Sequence, residues 1–315
     1  MPYRLVESGE RVILSVLIGA DPSLIGLKVN NSTVISMKFG ELDSLVQKVY
    51  GFAEKNLFSK SVTDFYRITN AHGEMVYLSD CDLVVLETVC NDSFDSVATQ
   101  YILKALKLYH SADIFSCYSM NYRFQDGKIR FGGHGSVTQY RHAVGLVTPQ
   151  YVLTEKQKND FPEWYSSVFM KMMKSKCSSG YRAMLGRYDL SYMIGICDAE
   201  YVMLFTTLET LFGTDLDKIT SHIAKGTSVL LGGSAKEKRA IRNQMYQLYE
   251  VRSRYVHDGK NVPKESLVQL REIVRRVLVE ICNRGYHTKD KSLEELRDLL
   301  LPVVTQPLED TDKEK

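Results

Sequence analysis

The segment from Leu248 to Gly259, Leu-Tyr-Glu-Val-Arg-Ser-Arg-Tyr-Val-His-Asp-Gly, gathers side chains that can do chemistry together. Arg252 carries a guanidinium that stays charged and presents a planar fork of donors, a fit for the oxygens of a phosphate or a carboxylate. Five residues on, His257 supplies an imidazole, the side chain whose ordinary titration range suits proton transfer near neutral pH. Ser253 adds a hydroxyl that can donate a further hydrogen bond. The set meets the needs of phosphodiester cleavage without a metal: arginine holds a phosphate oxygen and offsets charge growing on the phosphorus, and histidine moves a proton. RNA brings its own nucleophile, the 2′-hydroxyl, so no protein nucleophile is required. The competing reading is structural. In it, Arg252 pairs with a core carboxylate, Glu209 or Asp198, and His257 is an exposed helix end favoured as a cation by the helix dipole.

Spacing alone decides little. With 17 arginines and 7 histidines in 315 residues, chance placement gives roughly 0.4 arginine–histidine pairs at this separation. A second pair does occur, Arg67 and His72. The helix that carries the first pair is better defined. Ser234 stands three residues before Glu237 in capping-box spacing, and Asp258-Gly259 supplies a stop after His257. On a wheel of about 100° per residue with Ile241 at zero, Met245 falls near 40°, Leu248 near 340°, Tyr255 near 320° and Val256 near 60°. Arg252 falls near 20°, inside that apolar stripe, and His257 near 160°, about 7.5 Å further along the axis. A straight helix therefore separates the two, and they converge only through side-chain reach, a bent helix end or a second copy.

The elements around this helix read as an all-helical region. Asp189 to Phe212 is apolar nearly all round and predicts one central buried helix, with Asp198, Glu200 and Glu209 among its few acids. Lys218 to Leu231 predicts a shorter helix stopped by Gly232-Gly233. Pro263 opens another that runs to Asn283, with Leu267, Leu270, Val274, Val277, Leu278 and Ile281 as its core stripe. Ser292 to Leu300 predicts a short final helix before a charged tail, Leu308 to Lys315, with the composition of a disordered segment.

In this setting Leu248-Tyr249-x-x-Arg252-Ser253-x-x-x-His257-x-Gly259 resembles the motif of the HEPN superfamily of helical ribonuclease domains, in its Apea-like branch. Thr207-Leu-Glu209-Thr-Leu-Phe212 looks like the acidic position on that family's first helix, and Ser221-His-Ile-Ala-Lys-Gly with Val229-Leu-Leu-Gly232 resembles its second. The likeness covers about residues 187 to 285. It implies an antiparallel bundle that dimerises, bringing two Arg/His motifs into one cleft. Active members cut RNA, often as toxins or antiviral-defence effectors; others have lost cleavage and serve as scaffolds that bind RNA or a protein partner. Carried onto this chain, the catalytic residues are Arg252, His257 and Ser253, with Glu209, Arg254 and Tyr249 in support. No cofactor or metal is implied.

Composition sets the outer bounds. The 315 residues exceed the usual single domain, and 44% apolar with 25% charged residues is ordinary for a globular protein. A formal net charge of +2 announces no global affinity for nucleic acid or membrane. Residues 187 to 290 hold 16 Lys and Arg against 13 Asp and Glu, and Arg271, Arg275 and Arg276 with Arg254 and Lys260 offer a phosphate track. The bland reading of the arginine trio is a solvated helix face. Cysteines 81, 90, 117, 177, 197 and 282 show no paired spacing, which predicts reduced thiols in a cytoplasmic protein. Met1 to Glu10 lacks the order of a signal peptide, and no segment is long and apolar enough to suggest a membrane span.

The chain before this region reads as mixed α/β. Strands are predicted at 11–19, 33–39, 64–69, 74–78, 114–124 and 128–131, with helices at 41–58, 95–110 and 153–174, the last broken near Pro162. Leu83 to Cys90 is strand or buried helix. Phe131-Gly-Gly-His134-Gly-Ser lacks the lysine-serine ending of a phosphate loop and reads as a plain loop. His110, His134 and His142 lack metal-ligand spacing. The expected fold class is α+β: residues 1–180 form a mixed α/β domain open to a regulatory ligand or protein, 181–290 a HEPN-like helical bundle, and 291–315 a short helix and tail.

Overall fold

A computed structural model describes residues 10–50, 67–69, 75–77, 82–90, 96–125, 128–131, 136–137, 150–174, 179–194, 196–213, 218–287, 295–296 and 299–300. His72, Cys81, His134, His142 and Cys177, and the expected charged tail from Leu308 to Lys315, lie outside the described residues. The chain divides into two compact units, Met1–Ser167 and Val168–Lys315, where the sequence places the domain boundary at 180. The first holds an antiparallel sheet and the second is mostly helical, an α+β chain.

In the first unit, β-branched runs become strands because both of their faces find cover. Strand β1 (Arg11–Ile18) lies at the centre, with β2 (Lys28–Val29) and β3 (Ser32–Lys38) toward one edge. A small separate hairpin pairs β4 (Arg67–Thr69) with β5 (Met75–Tyr77). The ambiguous run near residue 83 is a strand, β6 (Asp82–Cys90), paired along its length with β1 and β3. With β7 (Phe115–Gln125), β8 (Lys128–Phe131) and β9 (Ser136–Val137), the order across the main sheet is β2-β3-β6-β1-β7-β8, and β9 also pairs with β7.

Alternation sorts the side chains of this sheet. Val12, Leu14, Val16 and Ile18 join Leu83, Val85, Met120 and Tyr122 in a core closed by Leu42 and Leu45 of α1 (Phe39–Tyr50). On the opposite face Ser15 hydrogen-bonds Ser119 at 2.7 Å and reaches Thr99 of α2 (Ser96–Tyr109) at 3.5 Å, so β1 is buried on both sides. Helix α3 (Glu155–Trp164) starts at a Thr154–Gln157 capping box. Pro162 does not end it. Lacking an N–H, proline loosens the ladder, and the helix widens into a π-turn at Tyr165–Phe169 before α4 (Met170–Lys174). The hydroxyls of Ser166 and Ser167 donate to the carbonyls of Pro162 and Glu163, at 3.0 and 2.7 Å.

The helical unit corrects one expectation. Asp189 to Phe212 is not one helix: α5 (Ser179–Ile194) ends and α6 (Cys197–Phe212) begins after an extended residue, Ile196, with φ −123° and ψ 111°. The pair folds back as a hairpin, so the segment looked apolar all round because it contributes two buried faces. Helices α7 (Ile219–Leu231) and α8 (Ala235–Asp258) form a second hairpin across Gly232-Gly233. Helix α9 (Lys264–Asn283) carries its predicted stripe into the core, where Leu267, Leu270, Val274, Val277, Leu278 and Ile281 are all buried.

Polar side chains tie the bundle at defined points. Tyr181 and Tyr201 donate to the carbonyls of Leu278 and Leu248, at 2.9 and 2.7 Å. Arg271 of α9 pairs with Glu200 of α6 at 2.6 Å, both side chains 1% exposed, and its guanidinium lies over the Tyr192 ring. Gly226 lets α7 meet α6 closely, since a Cβ there would sit 2.4 Å from the Phe212 ring. Residues 295–296 and 299–300, in the expected final helix, are helical. Among the described residues no helix is long and apolar enough to cross a membrane.

Candidate active site

Helix α8 is built as its end signals direct. The Ser234 hydroxyl accepts from the Glu237 amide and the Glu237 carboxylate accepts from the amides of Ser234 and Gly233, which hold it below the usual carboxylate range. At the far end Gly259 adopts φ +66°, a left-handed cap that glycine takes without strain. The chain then turns into α9 through Val262, whose amide donates to Asp198 Oδ1 at 2.6 Å. That hydrogen bond engages Asp198, one of the two carboxylates considered for Arg252.

The other carboxylate is the partner. Arg252 Nη2 lies 3.0 Å from Glu209 Oε1 across the α6–α8 contact, with the two side chains 22% and 20% exposed. Tyr249, one turn back on α8, accepts a long hydrogen bond of 3.4 Å from Nη1 while its ring lies under the guanidinium, 5.2 Å to the centroid. The ring of Phe205 meets Tyr249 edge-on at 5.4 Å. One helical turn therefore places an aromatic platform beneath Arg252, a carboxylate beside it, and solvent on the remaining side. The ion pair is close but poorly aligned: among the described residues, neither Arg252 Nε nor Glu209 Oε1 makes a hydrogen bond although both are buried. A guanidinium N–H left in this state is costly, about 1–3 kcal/mol for an unsatisfied buried group.

His257 does not join this cluster within one chain. It is exposed in the last turn of α8, on the side of the helix that the wheel assigned it. Val256, placed on the apolar stripe by the wheel, is 51% exposed, because the last turns of α8 run past the packed core. Ser253 is partly buried. Arg254 is exposed and pairs with Glu250 at 3.5 Å, an interaction along the same helix face. So Arg252, Glu209 and Tyr249 are brought together, while His257 and Arg254 stand apart from them. Phe205 was missed by sequence reasoning; its position four residues before Glu209, on the same face of α6, is the signal that could have found it. His222, in the segment resembling the family's second helix, is buried with Nδ1 lacking a hydrogen bond among the described residues.

The expected phosphate track does not form as drawn. Arg271 is buried against Glu200, and Arg275 is held by two hydrogen bonds to Glu272, at 2.8 and 2.6 Å. Of the trio, only Arg276 is exposed. Local counting could not show this because the carboxylate that buries Arg271 lies 71 residues away. Burial, with Glu200 and Asp198 nearby, pushes the Cys197 thiol up to about 11. Among the described residues no group of His, Cys, Asp and Glu is arranged to hold a metal ion. No protein-family model matches the chain, and neither a curated protein nor a solved structure shows significant similarity to it.

Proposed function

We propose that this protein is a metal-independent endoribonuclease of the HEPN type, acting through Arg252, Ser253 and His257. The observation that carries the reading is the state of Arg252: a guanidinium half-sunk beside Glu209 and Tyr249, still 22% exposed, whose Nε makes no hydrogen bond among the described residues. A phosphate oxygen can reach the exposed part of the guanidinium and pair with its charge. In the reaction the 2′-oxygen of a ribose attacks the adjacent phosphorus, the bond from phosphorus to the 5′-oxygen breaks, and the products end in a 2′,3′-cyclic phosphate and a 5′-hydroxyl. Arg252 binds the phosphate and offsets its growing charge. His257 takes the 2′-hydroxyl proton or delivers one to the leaving oxygen, and Ser253 steadies the phosphate. A homodimer through the helical unit brings a second His257 toward the Arg252 of its partner and divides the two proton transfers between copies. The sheet unit then serves to sense a ligand or protein that licenses cutting in the cytoplasm, as a toxin or defence effector requires.

One observation favours a second reading. Glu209 neutralises Arg252 within the fold, as it would in a non-cleaving dimeric scaffold that binds RNA or a protein. Expression of wild type beside Arg252→Ala and His257→Ala, with RNA ends mapped in the presence of a chelator, separates the two. The ribonuclease leaves 2′,3′-cyclic phosphate ends and loses about 10²–10⁴-fold in rate on removal of the histidine. Full cutting by His257→Ala overturns the assignment. The scaffold cuts nothing, and its Arg252→Ala variant changes only stability or assembly.

A further inference from the structure

Roughly 28 Å back along α8 from Arg252, a cleft of about 370 Å³ opens between the Gly232-Gly233 turn and α9. Three arginines line it, Arg275, Arg276 and Arg284, against one carboxylate, Glu280. Their guanidiniums are not equivalent. Arg284 is held from two sides, with Nε donating to Glu280 at 2.7 Å and Nη2 to the Leu230 carbonyl at 2.8 Å, which leaves Nη1 outside both bonds. Arg275 is fixed by its fork on Glu272. Arg276 is exposed and makes no hydrogen bond or ion pair among the described residues. The nearby Glu237 carboxylate already accepts from the amides of Gly233 and Ser234.

Shape and lining add to the charge. Gly232 lets the turn close tightly on α8: a Cβ there would lie 2.7 Å from Lys238 Cγ and 2.8 Å from the Ser228 carbonyl oxygen. Leu231 and Val279, both partly exposed, give the cleft an apolar part. Two guanidiniums positioned by carboxylates cost little further ordering on binding, and the third, Arg276, which feels the Glu237 carboxylate but makes no ion pair with it, keeps its fork for a ligand. A small ligand with an anionic end and a flat, weakly polar body matches this arrangement, and the volume lies in the range of small-molecule sites.

We propose that this cleft binds a nucleotide phosphate on Arg276 and Arg284, with the sugar and base against Leu231 and Val279. The same chemistry is offered by a free nucleoside phosphate and by one nucleotide of an RNA strand. This site does not depend on cleavage at Arg252, because it is read by binding alone. The test titrates the full-length protein with adenosine monophosphate, adenosine, inorganic phosphate and a short single-stranded RNA. Adenosine monophosphate is expected to bind, with adenosine weaker by about tenfold or more, the loss that goes with removing one charge-assisted contact. Arg276→Ala, an exposed change that leaves ligand-free thermal unfolding where it was, weakens binding by a similar factor, whereas Arg252→Ala does not. RNA that competes with the nucleotide marks the strand as the natural source; RNA that does not marks the free nucleotide. The proposal fails if adenosine monophosphate does not bind, if adenosine binds as well, or if both Arg276→Ala and Arg284→Lys bind it unchanged.

Discussion

Arg252 and Glu209 form a pair whose worth depends on what the arginine is for. A half-buried ion pair with imperfect alignment contributes modestly to stability, yet it aims a guanidinium that would otherwise swing. Glu209→Gln keeps the shape and removes the charge. In a purified ribonuclease it is expected to lower kcat by about tenfold, one misdirected charged contact, while KM for RNA stays level or falls as Arg252 is less neutralised. Unfolding temperature should drop by only a few degrees. A fall in unfolding temperature with kcat intact in the folded protein would instead make Glu209 a structural partner. A second residue reports on acid. His287 is buried, its ring 5.9 Å from that of Tyr181, and burial and then Lys171 hold its pKa below the usual histidine range. The unfolded chain therefore binds this proton more readily than the folded one. The stability tied to a neutral His287 is full above about pH 6.5 and declines as pH falls from there toward the lower folded value. Thermal unfolding followed between neutral pH and pH 5 should show that decline, and His287→Phe should flatten it.

Among the elements, α8 is the one that must hold its length. Ser234→Ala removes the hydroxyl cap and is expected to cost about 1 kcal/mol, measured by urea unfolding. Gly226→Ala forces a methyl into the Phe212 ring and is expected to cost about 1–3 kcal/mol, because a packed core yields little to added volume. These ends and contacts differ in how far the sequence discloses them. Ser234, Glu237, Gly259 and Pro263 act within a turn of themselves, so their types and spacing were enough to place the limits of α8 and the start of α9. The break between α5 and α6 carried only a weak mark, Gly195: the apolar residues around it look the same in one helix or two, and Ile196, at the start of α6, makes no side-chain cap. The candidate site was half legible for the same reason. Arg252 stood out on its stripe, and its partner was narrowed to Glu209 or Asp198, but the choice rests on the Val262 amide claiming Asp198. Arg271 was misplaced on the surface because burial of an arginine is decided by a distant carboxylate, not by its neighbours in sequence.

For the molecule as a whole, the separation of Arg252 from His257 in one copy carries a prediction about two. If sites are shared across a homodimer, Arg252→Ala and His257→Ala are each inactive alone. Mixed after dissociation and reassociation, they should regain about a quarter of wild-type cutting, since half of the dimers are mixed and each restores one of its two sites. Mixtures that stay inactive, while wild type survives the same treatment, would place the whole reaction within one chain.

The Glu200–Arg271 pair also imposes an order on synthesis. The carboxylate is made first, on α6, and its cation follows 71 residues later, on α9. At about 5–20 residues per second this is roughly 4–14 s of translation. During that interval closing α6 would bury an unpaired carboxylate or force it to take up a proton, and either cost disfavours a sealed core. The growing bundle is thus biased toward an open, hydrated state until α9 arrives, and any helper that binds nascent apolar helices has those seconds in which to act.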